Sequence, residues 1–145
     1  MWPFSKPKPE PPGVIIRNVL GEIIDRVEGV WSLENADLRQ RQWQHANLSG
    51  LSLAGANCEV IQLFGARHVK SSFTRCNLRN AELSFSDATS ANFRDANLDR
   101  CLLYHAETRH ASFYGAVITP SSDIQVSEWW LHENSATNSR SFASV

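Results

Sequence analysis

Ala91-Asn92-Phe93-Arg94-Asp95 is followed at once by Ala96-Asn97-Leu98-Asp99-Arg100, and this five-residue phrase extends in both directions, from Trp31 to Pro120, without insertion or deletion. Stepping by five from Leu33 lands on Leu38, Trp43, Leu48 and Leu53, and onward to Phe113 and Ile118; fourteen of these eighteen centres are large and apolar. The residue two places before each centre is mostly Ala, Ser or Cys. A helix face recurs every 3.6 residues and a strand face every 2, so neither ordinary element carries a strict five. The remaining solution is a solenoid, in which each short unit turns the chain and buries its apolar side only against its neighbours. A large centre with a small residue two places earlier suits a narrow tube whose interior cannot hold two large side chains per unit.

A second period shows how many units make a coil. Phe73, Phe93 and Phe113 lie twenty apart, in line with Leu33 and Leu53; Leu63, Leu83 and Leu103 stand in line with Trp43; Leu38, Leu78 and Leu98 make a third line. The fourth line, Leu48, His68, Ala88 and Thr108, is weaker. Four units per coil make a four-sided tube, and ninety residues make 4.5 coils, about 22 Å of stack at a strand spacing of ~4.8 Å. Units such as Ala36-Asp37-Leu38-Arg39-Gln40, Ala46-Asn47-Leu48-Ser49-Gly50 and the pair quoted above resemble the A(D/N)LXX signature of pentapeptide-repeat proteins. The resemblance implies an all-β solenoid, a right-handed quadrilateral β-helix. The Asn or Asp before the centre (Asp37, Asn47, Asn57, Asn77, Asp87, Asn92, Asn97) has a physical reason of its own. Its short side chain bonds nearby backbone and holds a tight turn.

The chain of 145 residues is 42% hydrophobic and 20% charged, ordinary for one globular domain. Residues 31–120 carry nine basic and eight acidic residues, and the formal net charge of the whole is −1. No field of either sign attracts nucleic acid or imitates it. Cys58, Cys76 and Cys101 all take inward positions without CxxC spacing, which suits compact hydrophobes in a reducing, cytoplasmic setting rather than a metal site. No apolar run reaches the ~18 residues of a membrane span, and the opening Met1-Trp2-Pro3-Phe4-Ser5-Lys6 lacks the apolar core of a secretory signal.

Outside the repeats the sequence divides further. Residues 1–13 hold five prolines and form a Pro-rich flexible arm. In residues 14–30 the apolar Ile15, Ile16, Val19, Leu20, Ile23, Ile24 and Val27 recur with steps of 1 and 3, which predicts an amphipathic α-helix capping the open end of the tube. Arg41 stands where a small residue belongs and is expected to reach out at the rim where the N-terminal helix meets the tube; if it points inward it requires an acidic partner. Residues 121–133 read as a strand or as one or two helical turns, with Trp129, Trp130 and Leu131 either covering the far end of the tube or joining a second copy. Dimerisation through such C-terminal elements is also what the resemblance allows. Residues 134–145 have the composition of a disordered tail.

A function has few places to sit. Unit by unit, the third wall brings Phe64, Phe85, Leu102, Tyr104 and His105 together on the outside. Such a cluster is either a protein-binding surface or ground covered by the chain's own termini. His68 points inward, where a neutral imidazole bonded to a neighbouring backbone carbonyl is expected. There is no Gly-rich phosphate loop, no acid dyad and no activated nucleophile, so no catalytic residue, cofactor or metal ligand is assigned, and the chain is not read as an enzyme. His105, His110 and Tyr114 would make at most an adventitious metal contact. The expected function is a non-catalytic scaffold binding a protein partner. The alternative is implied by the resemblance, since some family members mimic duplex DNA and inhibit or protect DNA gyrase or topoisomerase. Those carry strongly acidic rods, which this body of net +1 lacks.

Overall fold

The computed structural model describes residues 6–119. Residues twenty apart pair in parallel along all four walls. Asp37, Asn57, Asn77 and Asn97 make one ladder; Gln42, Gln62, Glu82 and Leu102 a second; Asn47, Arg67, Asp87 and Glu107 a third; Ser52, Ser72, Asn92 and Ser112 the fourth. Each rung uses the same pair of bonds. Leu38 N–H donates to Asn57 O at 2.8 Å, and Asn57 N–H donates to Ala36 O at 2.9 Å. Among the described residues only two strand segments are long enough to name in the coils, β3 (Asn97–Leu98) and β4 (Val117–Ile118), because a wall is two or three residues wide before the chain turns.

The corners explain the five. Every centre carbonyl tested by a turn accepts from the N–H three residues on, as Leu53 O does from Ala56 at 3.0 Å. The third residue of each turn has positive φ, at every fifth position from Asn35 (56°) to Gly115 (72°). Most of these are not glycine, and an L side chain in this region costs roughly 1 kcal/mol, so the coil above and below must hold it there. The seven Asn and Asp residues named above contribute: the side-chain Oδ1 of each accepts the N–H two residues on, at 3.0–3.3 Å. Inside the tube Phe73, Phe93 and Phe113 stack as parallel rings, with centroids 5.1 and 4.9 Å apart. Leu38, Leu63, Leu78, Leu83 and Leu98 are equally buried.

The N-terminal segment departs from the sequence expectation. Residues 14–27 form a β-hairpin, β1 (Val14–Arg17) antiparallel to β2 (Ile23–Val27), and no capping α-helix is present over 14–30. Two short strands around a turn reproduce the 1-and-3 spacing of the apolar residues, so periodicity alone does not separate the cases. Composition and context do. Val14, Ile15, Ile16, Ile23, Ile24 and Val27 are β-branched, poor in helices and good in strands. Asn18 holds the turn by accepting from Leu20 and Glu22 N–H, each at 3.0 Å. The first coil also presents unpaired strand edges that only a strand can satisfy. Asn47 N–H donates to Arg17 O at 2.8 Å and Val19 N–H to His45 O at 2.9 Å.

One face of the hairpin, Val14, Ile16, Asp25 and Val27, turns toward the tube, and Ile16 and Val27 join the core. Arg41 is one-third exposed at the rim where the hairpin meets the first coil, and Asp25 of the hairpin is its acidic partner. Its Oδ2 accepts from Arg41 Nη1 at 2.9 Å and from Trp43 Nε1 at 2.6 Å. Burial opposes the charge on Asp25, but the Trp43 indole, the Arg26 N–H and the Arg41 guanidinium together hold its pKa below the usual carboxylate value. The stabilisation is therefore present at neutral pH and is lost as pH falls through that lowered value. Asp25→Ala leaves the buried Trp43 N–H without an acceptor and is expected to cost about 1–3 kcal/mol in urea unfolding. Asp25→Asn, whose amide oxygen can still accept from Trp43, should cost less. Equal losses for the two variants would show that the indole bond contributes nothing.

Candidate binding surface

The outer side of the wall built on Gln42, Gln62, Glu82 and Leu102 carries a continuous run of rings. Phe64 and Phe85 lie 5.3 Å apart, Phe85 and Tyr104 5.8 Å, Phe85 and His105 5.2 Å, and Tyr104 and His105 4.0 Å between centroids. Phe64 and Tyr104 leave the coil just after a buried centre, whereas Phe85 and His105 occupy left-handed corner positions that aim them away from the tube. Solvent reaches 40% of Phe64, 52% of Phe85, 42% of Tyr104 and 38% of Leu102. The register thus brings four of the five residues expected on this wall into ring contact and places Leu102 on the ladder of the same wall.

It also adds His45, which the register of the sequence puts on this face but not in the expected cluster. Its ring meets Phe64 edge-on at 6.1 Å, because the corner above is Gly65. A Cβ at Gly65 would lie 2.6 Å from His45 Nδ1. A glycine twenty residues beyond a large corner residue is the signal that reveals the lower side chain folding upward. Charge is scarce on the wall. Gln42, Gln44 and Gln62 surround the lower rings, and the Glu82 carboxylate accepts from Ser84 N–H at 2.7 Å. Trp129, Trp130 and Leu131 lie outside the described residues.

Among the described residues the inward polar side chains pair with one another or with the backbone, as Ser71 and Ser86 do by donating to His68 O and Leu83 O. His68 is fully buried and bonds a side chain rather than the expected backbone carbonyl: its Nε2 meets Ser86 Oγ at 3.0 Å. Burial pushes its pKa down to about 4 against the opposing pull of Asp87, so it is neutral at pH 7. Cys58, Cys76 and Cys101 are buried free thiols. The hydrogen bond with Cys76 and burial push Cys58 well up, and burial pushes Cys101 up, so neither supplies a thiolate. Among the described residues no cluster of His, Cys, Asp or Glu is placed to hold a metal, and no helix is long and apolar enough to cross a membrane.

A family model described as pentapeptide repeats, eight copies, matches residues 32–67 and 61–95. With the twenty-residue pairing already described, this settles what the coils are. Residues 32–95 are pentapeptide repeats. The repeats resemble those of a pentapeptide repeat protein from the Arabidopsis thaliana thylakoid lumen, at 22% identity and a TM-score of 0.43, covering 70% of this chain and 78% of the other. HetL of the cyanobacterium Nostoc sp. strain PCC 7120, involved in heterocyst differentiation regulation, matches at 20% identity and 0.27, over 57% of this chain and 45% of its own. QnrB1, a plasmid-mediated fluoroquinolone resistance protein, matches at 15% and 0.31, over 62% and 51%. No curated protein matches the chain.

Proposed function

We propose that this protein is a non-catalytic module that binds a protein partner through the wall of Phe64, Phe85, Leu102, Tyr104 and His105. The observation that carries this is a contiguous, half-exposed ladder of aromatic rings on a rigid, hydrogen-bonded scaffold. Aromatic side chains supply much contact area at little entropic cost, and they dominate the energetics of protein interfaces. The sparse charge around them favours a partner segment that presents large apolar side chains rather than a charged one.

Imitation of DNA toward gyrase or topoisomerase is the weaker reading. The outer charges alternate in sign, as in Arg79 beside Glu59 and Asp99, or Arg39 beside Asp37, and such pairing cancels the long negative stripe a DNA mimic needs. A cytoplasmic, reducing location fits the three buried free thiols.

The test is capture from the native cell, followed by direct titration of the captured partner. Phe64→Ala/Phe85→Ala/Tyr104→Ala should bind at least ~100-fold more weakly, as expected when several interface aromatics are removed, with an unchanged circular dichroism spectrum. Identical affinity for wild type and variant would remove the wall from the interface.

A further inference from the structure

We infer that the aromatic wall is occupied, in the free protein, by the C-terminal segment of the same chain, with Trp129, Trp130 and Leu131 seated on the rings. This rests on reading the wall as a binding surface, and it makes that surface one that a partner gains by displacement.

The geometry of the chain's exit carries the inference. Val117 and Ile118 pair with Asn97 and Leu98 of the coil below, and Arg100 N–H donates to Thr119 Oγ1 at 3.1 Å. Thr119 therefore stands over the corner through which the lower coil turns into Cys101–His105. Four residues beyond Arg100 in that coil is Tyr104, the uppermost aromatic rung. The chain thus passes Thr119 at the upper rim of the aromatic wall rather than on another side of the tube. Eight residues separate Pro120 from Trp129, and the nine steps between them reach up to about 30 Å when extended. The rings from Tyr104 through Phe85 to Phe64 step down by only 5.8 and 5.3 Å.

The nearest rival apolar ground is Tyr114 and Val117, half-exposed in the last coil beside the exit but without a run of rings like that of Phe64, Phe85 and Tyr104. Val19, Leu20 and Ile23 are exposed on the hairpin, but the hairpin docks on the first coil, at the opposite end of the stack. Five large apolar residues fall within Ile124 to Leu131, and leaving them in water costs free energy in proportion to their area. Tethering raises the local concentration of the segment to the order of mM, so even a weak contact with the wall is populated.

The test uses the full chain and a protease that cleaves after glutamate. Glu128 and Glu133 flank the proposed anchor residues. Cleavage there should be slow in wild type and roughly tenfold faster in Phe64→Ala/Phe85→Ala/Tyr104→Ala. A rate unaffected by the wall variant overturns the inference. Protection that grows with protein concentration also overturns it, because a second copy would then be the occupant. Trp129→Ala/Trp130→Ala/Leu131→Ala gives an independent readout, since removing two indoles should shift the ring resonances of Phe64, Phe85 and Tyr104. Unmoved resonances overturn the inference even if the wall variant folds poorly. Neither measurement involves a partner. A wall that holds the tail yet plays no part in partner capture defeats the proposed function alone, and a wall needed for capture but indifferent to the tail defeats this inference alone.

Discussion

Phe93→Ala is expected to lower the free energy of unfolding by about 3–5 kcal/mol, the largest effect of any single change considered. Phe93 is fully buried and lies between Phe73 and Phe113, with parallel rings 5.1 and 4.9 Å away and the His68 edge at 6.1 Å. Truncation removes the transfer free energy of the ring and leaves a cavity. The cost of a cavity depends on how far its surroundings collapse, and here they cannot. The coils above and below are held apart by backbone bonds on every wall, such as Phe73 N–H to Asn92 O and Phe93 N–H to Ser112 O, each 2.7 Å. Closing the gap would break those ladders. In a stack where each coil contacts only its neighbours, weakening one layer also weakens the coupling between the coils on either side. The variant should therefore show a broader urea transition as well as a lower midpoint. Phe93→Leu keeps most of the volume and should cost less than half as much. A loss below ~1 kcal/mol for Phe93→Ala, against the usual 3–5, would mean that the rings do not support one another.

Why the tube was legible and its ends were not follows from how far each decision reaches along the chain. The interior depends on which side chains point inward and which stand over one another, and both are set by the spacings of five and twenty. Asn57 and Asn77 announce their corners through bonds two residues long. Arg41 likewise announces its need for an acid, although its partner, Asp25, comes from the hairpin. The hairpin is not legible in residues 14–27, because isolated apolar periodicity is the same for a helix and for two strands around a turn. What decides is the unpaired edge at His45 and Asn47, a property of the first coil rather than of residues 14–27. On the wall, the register places Phe64, Phe85 and Tyr104 together, but the rise of His45 toward Phe64 depends on the missing side chain at Gly65. His68 was correctly placed inside, while its bond to Ser86 joins residues eighteen apart and depends on the depth of the tube.

That bond leads to the second large expectation, a loss of about 3 kcal/mol of stability as pH falls from 6.5 to 4, removed by His68→Leu. The Ser86 hydroxyl donates its single proton to Leu83 O at 2.6 Å, so toward His68 it can only accept, and the imidazole carries its proton on Nε2. Nδ1 has no partner among the described residues, and the ring lies edge-on to Phe73 and Phe93. Protonation would place a charge and an unpaired N–H donor among phenylalanines, which is why burial holds the pKa near 4. In the unfolded chain the same histidine protonates near 6.5. Between those values the unfolded state binds one more proton than the folded state, so stability decreases as pH falls. The full contribution is present above pH 6.5 and is gone below about 4. A difference of about 2.5 pH units corresponds to roughly 3 kcal/mol. Asp25 and Asp87 have their pKa values lowered from 3.8, so most of their effect falls below this window. Urea unfolding of wild type and His68→Leu at intervals between pH 7 and 4.5 isolates the term, because surface carboxylates contribute equally to both. The leucine variant should show the shallower slope whatever its absolute stability, with Ser86 still bonded to Leu83 O. Parallel slopes would mean that the imidazole gains its proton inside the fold, and that the tube admits water at its centre.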